Sequence, residues 1–151
     1  MAKMGFEGRT VHFDWHNKRP EKYGYTFKSD QERKWADYLE LLKLSENIES
    51  WEYEPKQFQF EERLRKKGVY TPDFHVEYAI SDEWHEVKTS LRQKDIYRLK
   101  QFRTDFPNEK IVLILNSCPK RSINQIRLVE NARKYVNEII YAAPIFRKLG
   151  I

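Results

Sequence analysis

Hydrophobic and polar positions along this chain change period several times, and each change predicts an element. Trp35, Leu39 and Leu42 recur at helical spacing, with Ala36 and Leu41 near the same stripe, so a helix is expected over residues 29–45. Ser29-Asp30-Gln31-Glu32 has the form of a capping box, with Ser29 as N-cap and Glu32 at the third helical position. Gln57-Phe58-Gln59-Phe60 alternates polar and aromatic residues, as a half-buried strand does. Residues 61–68 read as a charged turn carrying Arg63, Arg65, Lys66 and Lys67. An apolar-aromatic run from Val69 and a second through Trp84 and Val87 predict two central strands, joined by a hairpin through Ser81-Asp82-Glu83.

The second half continues the alternation of strand and helix. Ser90 is placed to cap a helix running to about residue 105, with Ile96, Leu99, Phe102 and Phe106 facing inward and Pro107-Asn108 ending it. Ile111-Val112-Leu113-Ile114-Leu115 is a continuous apolar run of the kind that forms a buried strand. A helical crossover between it and the preceding strand makes the two parallel. Residues 121–138 read as a helix with a stripe of Ile123, Ile126, Val129, Ala132 and Val136. Residues 139–141 read as a last strand, and residues 142–151 as a tail whose Phe146 and Leu149 are available to a partner. The expected fold is α/β: a mixed central β-sheet flanked by α-helices. At 151 residues without an internal repeat or linker, the chain suits one domain.

Several charges interrupt this pattern where burial is expected. Asp73 ends Tyr70-Thr71-Pro72-Asp73, and after twelve intervening residues comes Glu86-Val87-Lys88. Alternate residues of a strand share a face, so Glu86 and Lys88 reach one pocket while Val87 enters the core. A hairpin would bring Asp73 beside Glu86. Paired carboxylates repel unless a cation lies between them or one is protonated. Magnesium is commonly held by one or two carboxylates, with water and substrate phosphate completing its shell. The alternative is a surface hairpin with a Glu86–Lys88 salt bridge. The flanking Phe74, Val76, Trp84 and Val87 count against it, because charges set among apolar residues are costly. Glu32 has a purely local alternative as a cap that reaches back to a backbone N–H. Glu54, in Trp51-Glu52-Tyr53-Glu54-Pro55, is a further candidate near the start of the first strand.

The series F-K-S-D-Q-E-R-K-W-A, W-E-Y-E-P, Y-T-P-D-F and E-V-K-T resembles the PD-(D/E)xK nuclease superfamily, from about Tyr23 to Pro107. More narrowly it is similar to phage-encoded Holliday junction resolvases of the endonuclease I type. That resemblance implies a restriction-endonuclease-like nuclease core. It assigns Glu32, Asp73, Glu86 and the backbone carbonyl of Val87 to the metal, and Lys88 to the attacking water. It implies magnesium, with manganese able to substitute, and four-way DNA junctions as substrate. It also implies a homodimer, because one chain carries one site and two strands must be cut. The chain departs from the endonuclease I pattern in its longer residues 57–67 and in Thr89-Ser90 where a glycine follows the lysine. Other tasks on the same core stay open: repair, packaging, restriction-like or transposon-end cleavage, or DNA binding without turnover. A structural adaptor using its aromatic arm and tail is a further alternative.

Composition adds direction. The net charge of +5 is uneven: from Thr89 onward there are 13 Lys/Arg against 5 Asp/Glu, a balance of +8, leaving −3 for residues 1–88. Cations gathered beside an acidic site suit DNA, whose phosphates they neutralise. Arg92, Lys94, Arg98, Lys100 and Arg103 on the second helix, and Lys66 and Lys67 in the charged turn, are the candidate DNA contacts. The alternative for them is ordinary surface pairing. Residues 1–26 form an arm mixing bases with His12, Phe13, Trp15, His16, Tyr23 and Tyr25, suited to stacking on bases or on a partner. His12 and His16 lack the further ligands a zinc site needs. The single Cys118 permits no intrachain disulfide, suits a reducing compartment such as the cytoplasm, and is expected to be a buried filler; a phage host is what the resemblance implies. No apolar run is long enough to span a membrane and no signal peptide is visible.

Overall fold

A computed structural model gives the fold and describes residues 19–61 and 68–151. In chain order the elements are β1 (Glu21–Lys22), β2 (Tyr25–Thr26), α1 (Asp30–Leu44), β3 (Ser50–Tyr53), β4 (Phe58–Gln59), β5 (Val69–Tyr70) and β6 (Phe74–Glu77). They continue with β7 (Asp82–Lys88), α2 (Gln93–Asp105), β8 (Ile111–Leu115), α3 (Ile123–Ala132), β9 (Glu138–Tyr141) and α4 (Ala142–Leu149). The fold is α/β. Its five-stranded sheet has the order β3-β6-β7-β8-β9, antiparallel from β3 to β7 and parallel from β7 to β9. No helix of the described residues is long and apolar enough to cross a membrane.

The apolar run of β8 makes sense in the middle of two layers. Ile111, Leu113 and Leu115 face a core shared with α2, α3 and the β4–β5 ribbon. Val112 and Ile114 face the opposite core, shared with α1 and α4. Both faces of β8 are covered, so period-two alternation of polarity has no use there. Each large side chain buried in these layers contributes about 1.5–3 kcal/mol relative to exposure.

The helices start where side chains satisfy their first N–H groups. Ser29 Oγ accepts from the Glu32 N–H at 3.1 Å, and Trp35, Ala36 and Leu39 are buried. α2 starts later than Ser90: Arg92 is its N-cap, and Asp95 accepts the Arg92 N–H at 2.8 Å. Ser90 yields because Leu91 is buried and tied to α3, through Gln125 bonds to both its N–H and its carbonyl. α3 ends at Ala132, short of residue 138, and buries Leu128, Val129 and Ala132. Ile123 is 81% exposed and Ile126 lies on the surface, so the expected stripe is rotated toward Leu128.

Other expectations are corrected by packing. Residues 142–149 form a helix rather than a tail, and Phe146 docks on the chain's own Trp35 at 6.3 Å between ring centroids. Cys118 is exposed instead of buried, since it follows β8 in the loop beyond the sheet. Within the described part of the arm, Tyr23 and Tyr25 pack edge-on or tilted against Trp51, and Tyr23 Oη donates to Asp37 at 2.6 Å. Tyr23 and Gly24 both have positive φ, the backbone a two-residue hairpin between β1 and β2 requires. His12, Phe13, Trp15, His16, Arg63, Arg65, Lys66 and Lys67 lie outside the described residues.

Candidate active site

The register of β6 on β7 builds the centre of the site. Phe74 is paired with His85, so one step back Asp73 lies across from Glu86. The hairpin that sets this register turns earlier than expected: Tyr78 N–H donates to the Ser81 carbonyl at 2.7 Å, and Asp82 and Glu83 already belong to β7. Asp73 therefore stands at the entry of β6, after a buried Pro72 that needs no ladder partner. Its Oδ2 accepts from the Val87 N–H at 2.7 Å, and its carbonyl accepts from the Glu54 N–H at 2.8 Å. Glu54 itself lies between β3 and β4.

β7 divides its side chains between the two layers. His85 and Val87 face α1, where His85 Nδ1 accepts from Trp35 Nε1 at 3.0 Å. Trp84 belongs to the α2 layer, and Glu86 and Lys88, at the same period, meet partners on that side. Tyr70 Oη donates to Glu86 Oε1 at 2.7 Å. Lys88 Nζ lies 3.7 Å from Glu86 Oε2 and 3.2 Å from Asp95 Oδ1. Asp95 thus both caps α2 and holds the lysine. The Arg98 guanidinium lies 5.7 Å from the centre of the Tyr70 ring.

Glu32 reaches the site from the α1 layer. Its side chain takes hydroxyl groups rather than the N-cap N–H: Oε1 accepts from Tyr53 Oη at 2.5 Å and Oε2 from Ser29 Oγ at 3.1 Å. Tyr53, Tyr70 and Asp95 escape sequence reasoning. A tyrosine in a strand looks like any core aromatic. Asp95 carried one legible signal, its place three residues after Arg92, which only a correct helix start exposes.

Three carboxylates, from α1, the entry of β6 and β7, are therefore buried, Glu32 at 7%, Asp73 at 6% and Glu86 at 7% exposure. Burial, then the charges of Glu86 and Glu32, push the Asp73 carboxyl well above the usual range. Burial also raises Glu86, although Lys88, Tyr70 and Arg98 pull it back. Beside Glu32 opens a groove of about 240 Å³, lined also by Ser29, Lys88, Arg92, Lys94 and Asp95, among others. Lys94 and Arg92 are exposed at its rim, and Lys100 is exposed farther along α2. Arg103 is taken up elsewhere. It donates to the carbonyls of Tyr135, Pro107 and Glu109 and to Asn137 Oδ1, joining α2 to the start of β8 and the approach to β9. It is not placed as a free phosphate contact.

Among the described residues, no group of three or more His, Cys, Asp or Glu stands ready to hold a metal ion. The oxygen donors are nevertheless the kind that magnesium takes. Their mutual repulsion is what a cation would relieve, and the backbone carbonyl of Val87 lies next to Glu86 in the chain. The residues fit such an ion in chemistry, and closing on it requires the acids to converge further. Residues 14–122, more than half of the chain, match the family described as "Protein of unknown function (DUF1064)", and the chain belongs to it. No curated protein and no solved structure matches the chain.

Proposed function

We propose that this member of the DUF1064 family is a metal-dependent DNA endonuclease, selective for branched DNA and in particular for four-way junctions. The observation that supports it is the burial of Glu32, Asp73 and Glu86, with Lys88 beside Glu86, next to a groove that Glu32 and Lys88 line. A fold whose only need was stability has no use for buried acids such as Asp73 and Glu86, whose pKa values burial raises, beside a third buried carboxylate.

Asp73, Glu86 and the Val87 carbonyl would hold magnesium or manganese, with Glu32 completing the set. When bound, the ion supplies a water of lowered pKa and polarises the phosphoryl oxygen. Lys88, steadied by Asp95, orients the attacking water and offsets charge on the pentavalent phosphorus. Tyr70 and Tyr53 hold the rotamers of Glu86 and Glu32. Lys94 and Arg92 at the rim neutralise neighbouring phosphates. The bond to the 3′ oxygen breaks, leaving a 3′-hydroxyl. Junction selectivity and a homodimer follow from the resemblance to phage resolvases and from one site per chain. A cytoplasmic setting in a phage host is part of the same reading.

The test is cleavage of a labelled four-way junction beside a linear duplex of the same sequence, with magnesium or with EDTA. Magnesium-dependent paired nicks near the junction, lost in Lys88→Ala and Asp73→Ala, are expected. Equal cutting of the duplex removes junction selectivity, and binding without any cutting removes the enzyme.

A further inference from the structure

We propose that Lys28 is a further phosphate-binding cation of this site, held by Glu54, whose backbone is bonded to Asp73. The inference rests on the nuclease reading above and extends it to the substrate's backbone.

Glu54 is where the chain is under strain. Its φ is +47°, in the left-handed region that a residue with a side chain seldom adopts, and it precedes Pro55, which favours extended backbone in the residue before it. Strain of this kind persists only where its surroundings enforce it, and such residues cluster at functional sites. Here both ends of Glu54 are engaged. Its N–H donates to the Asp73 carbonyl at 2.8 Å, and its Oε2 lies 2.5 Å from Lys28 Nζ. The strained residue thus links the central aspartate to a lysine.

Lys28 is placed for such a role. Its backbone N–H donates to Tyr53 Oη, the same hydroxyl that donates to Glu32. It immediately precedes Ser29, which lines the groove. The side chain is 53% exposed, so its ammonium can swing toward a ligand without unpacking the core. Glu54, then Asp73 and Glu32, favour its protonated form. A counter-ion serving only the buried acids would pair directly with Asp73 or Glu32. Lys28 pairs instead with a carboxylate beside that set, whereas Lys88 meets both Asp95 at 3.2 Å and Glu86 at 3.7 Å. Lys28 is therefore close to the acids yet not bound into the positions a metal would occupy. Lys28 adjoins Ser29 in the groove lining and Lys88 is itself part of that lining, so a phosphodiester strand crossing the groove would meet both cations.

The experiment is binding of a labelled four-way junction in EDTA, so that nothing is cut, over a series of salt concentrations. Lys28→Gln and Lys28→Arg are compared with wild type, with melting temperatures recorded for each. One lost phosphate contact makes the slope of log affinity against log salt shallower by about 0.9. That change is expected in Lys28→Gln, with affinity down severalfold, and recovery is expected in Lys28→Arg. An unchanged slope in Lys28→Gln overturns the inference, and a lowered melting temperature with it identifies Lys28 as a counter-ion. In that case magnesium-dependent cutting by wild type leaves the nuclease reading standing. Wild-type protein that neither binds nor cuts DNA overturns both.

Discussion

The hydroxyl of Tyr70 donates to Glu86 Oε1 at 2.7 Å, within the layer that β5 and β7 share with α2. The bond leaves Oε2 of Glu86 facing Lys88. A phenol from a two-residue strand therefore fixes the rotamer of an acid on the central strand. Burial and the Glu86 charge hold the Tyr70 hydroxyl well above its usual pKa, so it remains a donor.

Tyr70→Phe removes that donor and leaves the buried carboxylate under-solvated. A stability loss of about 1–3 kcal/mol is expected in urea unfolding. Because the hydroxyl pulls the Glu86 pKa down, its loss moves the acidic limb of the cleavage profile to higher pH. A profile that overlays wild type would show that Tyr70 serves packing alone.

Asp73→Asn stabilises the metal-free protein while abolishing cleavage. The folded pKa of Asp73 lies above its unfolded value of about 3.9. Its favourable contribution is therefore complete below about pH 4 and is lost as the pH rises through the folded value. The melting-temperature advantage of Asp73→Asn over wild type in EDTA should grow from pH 4 to pH 8. The amide still offers an oxygen to the Val87 N–H, so the register survives. An advantage that stays flat with pH would refute the raised pKa.

Magnesium raises the melting temperature of wild type. At a hundred times its Kd, a ligand that binds only the folded state adds about 2.7 kcal/mol. The gain shrinks as the pH falls, because protons compete for the carboxylates. Asp73→Asn should lose most of it. Equal shifts in both proteins would place the ion somewhere other than these acids.

Arg103→Ala separates structural from DNA-contacting cations on α2. Its guanidinium joins the carbonyls of Tyr135, Pro107 and Glu109 to Asn137, and losing charged hydrogen bonds of this kind costs about 2–3 kcal/mol. The expected result is a lower melting temperature with unchanged salt dependence of DNA binding. Lys94→Ala should do the reverse.

Much of the scaffold was legible because its signals are local. The Ser29 cap, the α1 stripe through Trp35 and Leu39, and the five-residue run of β8 each follow from a few neighbouring residues. Errors fell where a distant contact outweighed the local pattern. Gln125 holds Leu91 and moves the start of α2 to Arg92. Trp35 gives Phe146 a surface to pack on, turning an apparent tail into α4.

By itself the sequence determined an α/β order of elements and the spacing that puts Asp73 and Glu86 on adjoining strands, because alternation and caps act within a few residues. Tertiary structure alone decided which groups touch those acids. Tyr53 comes from β3, Tyr70 from β5 and Asp95 from α2, and their hydroxyls and carboxylate reach the site only after three elements have packed. Strand pairing and layer packing join residues far apart in the chain, and no local pattern encodes that meeting.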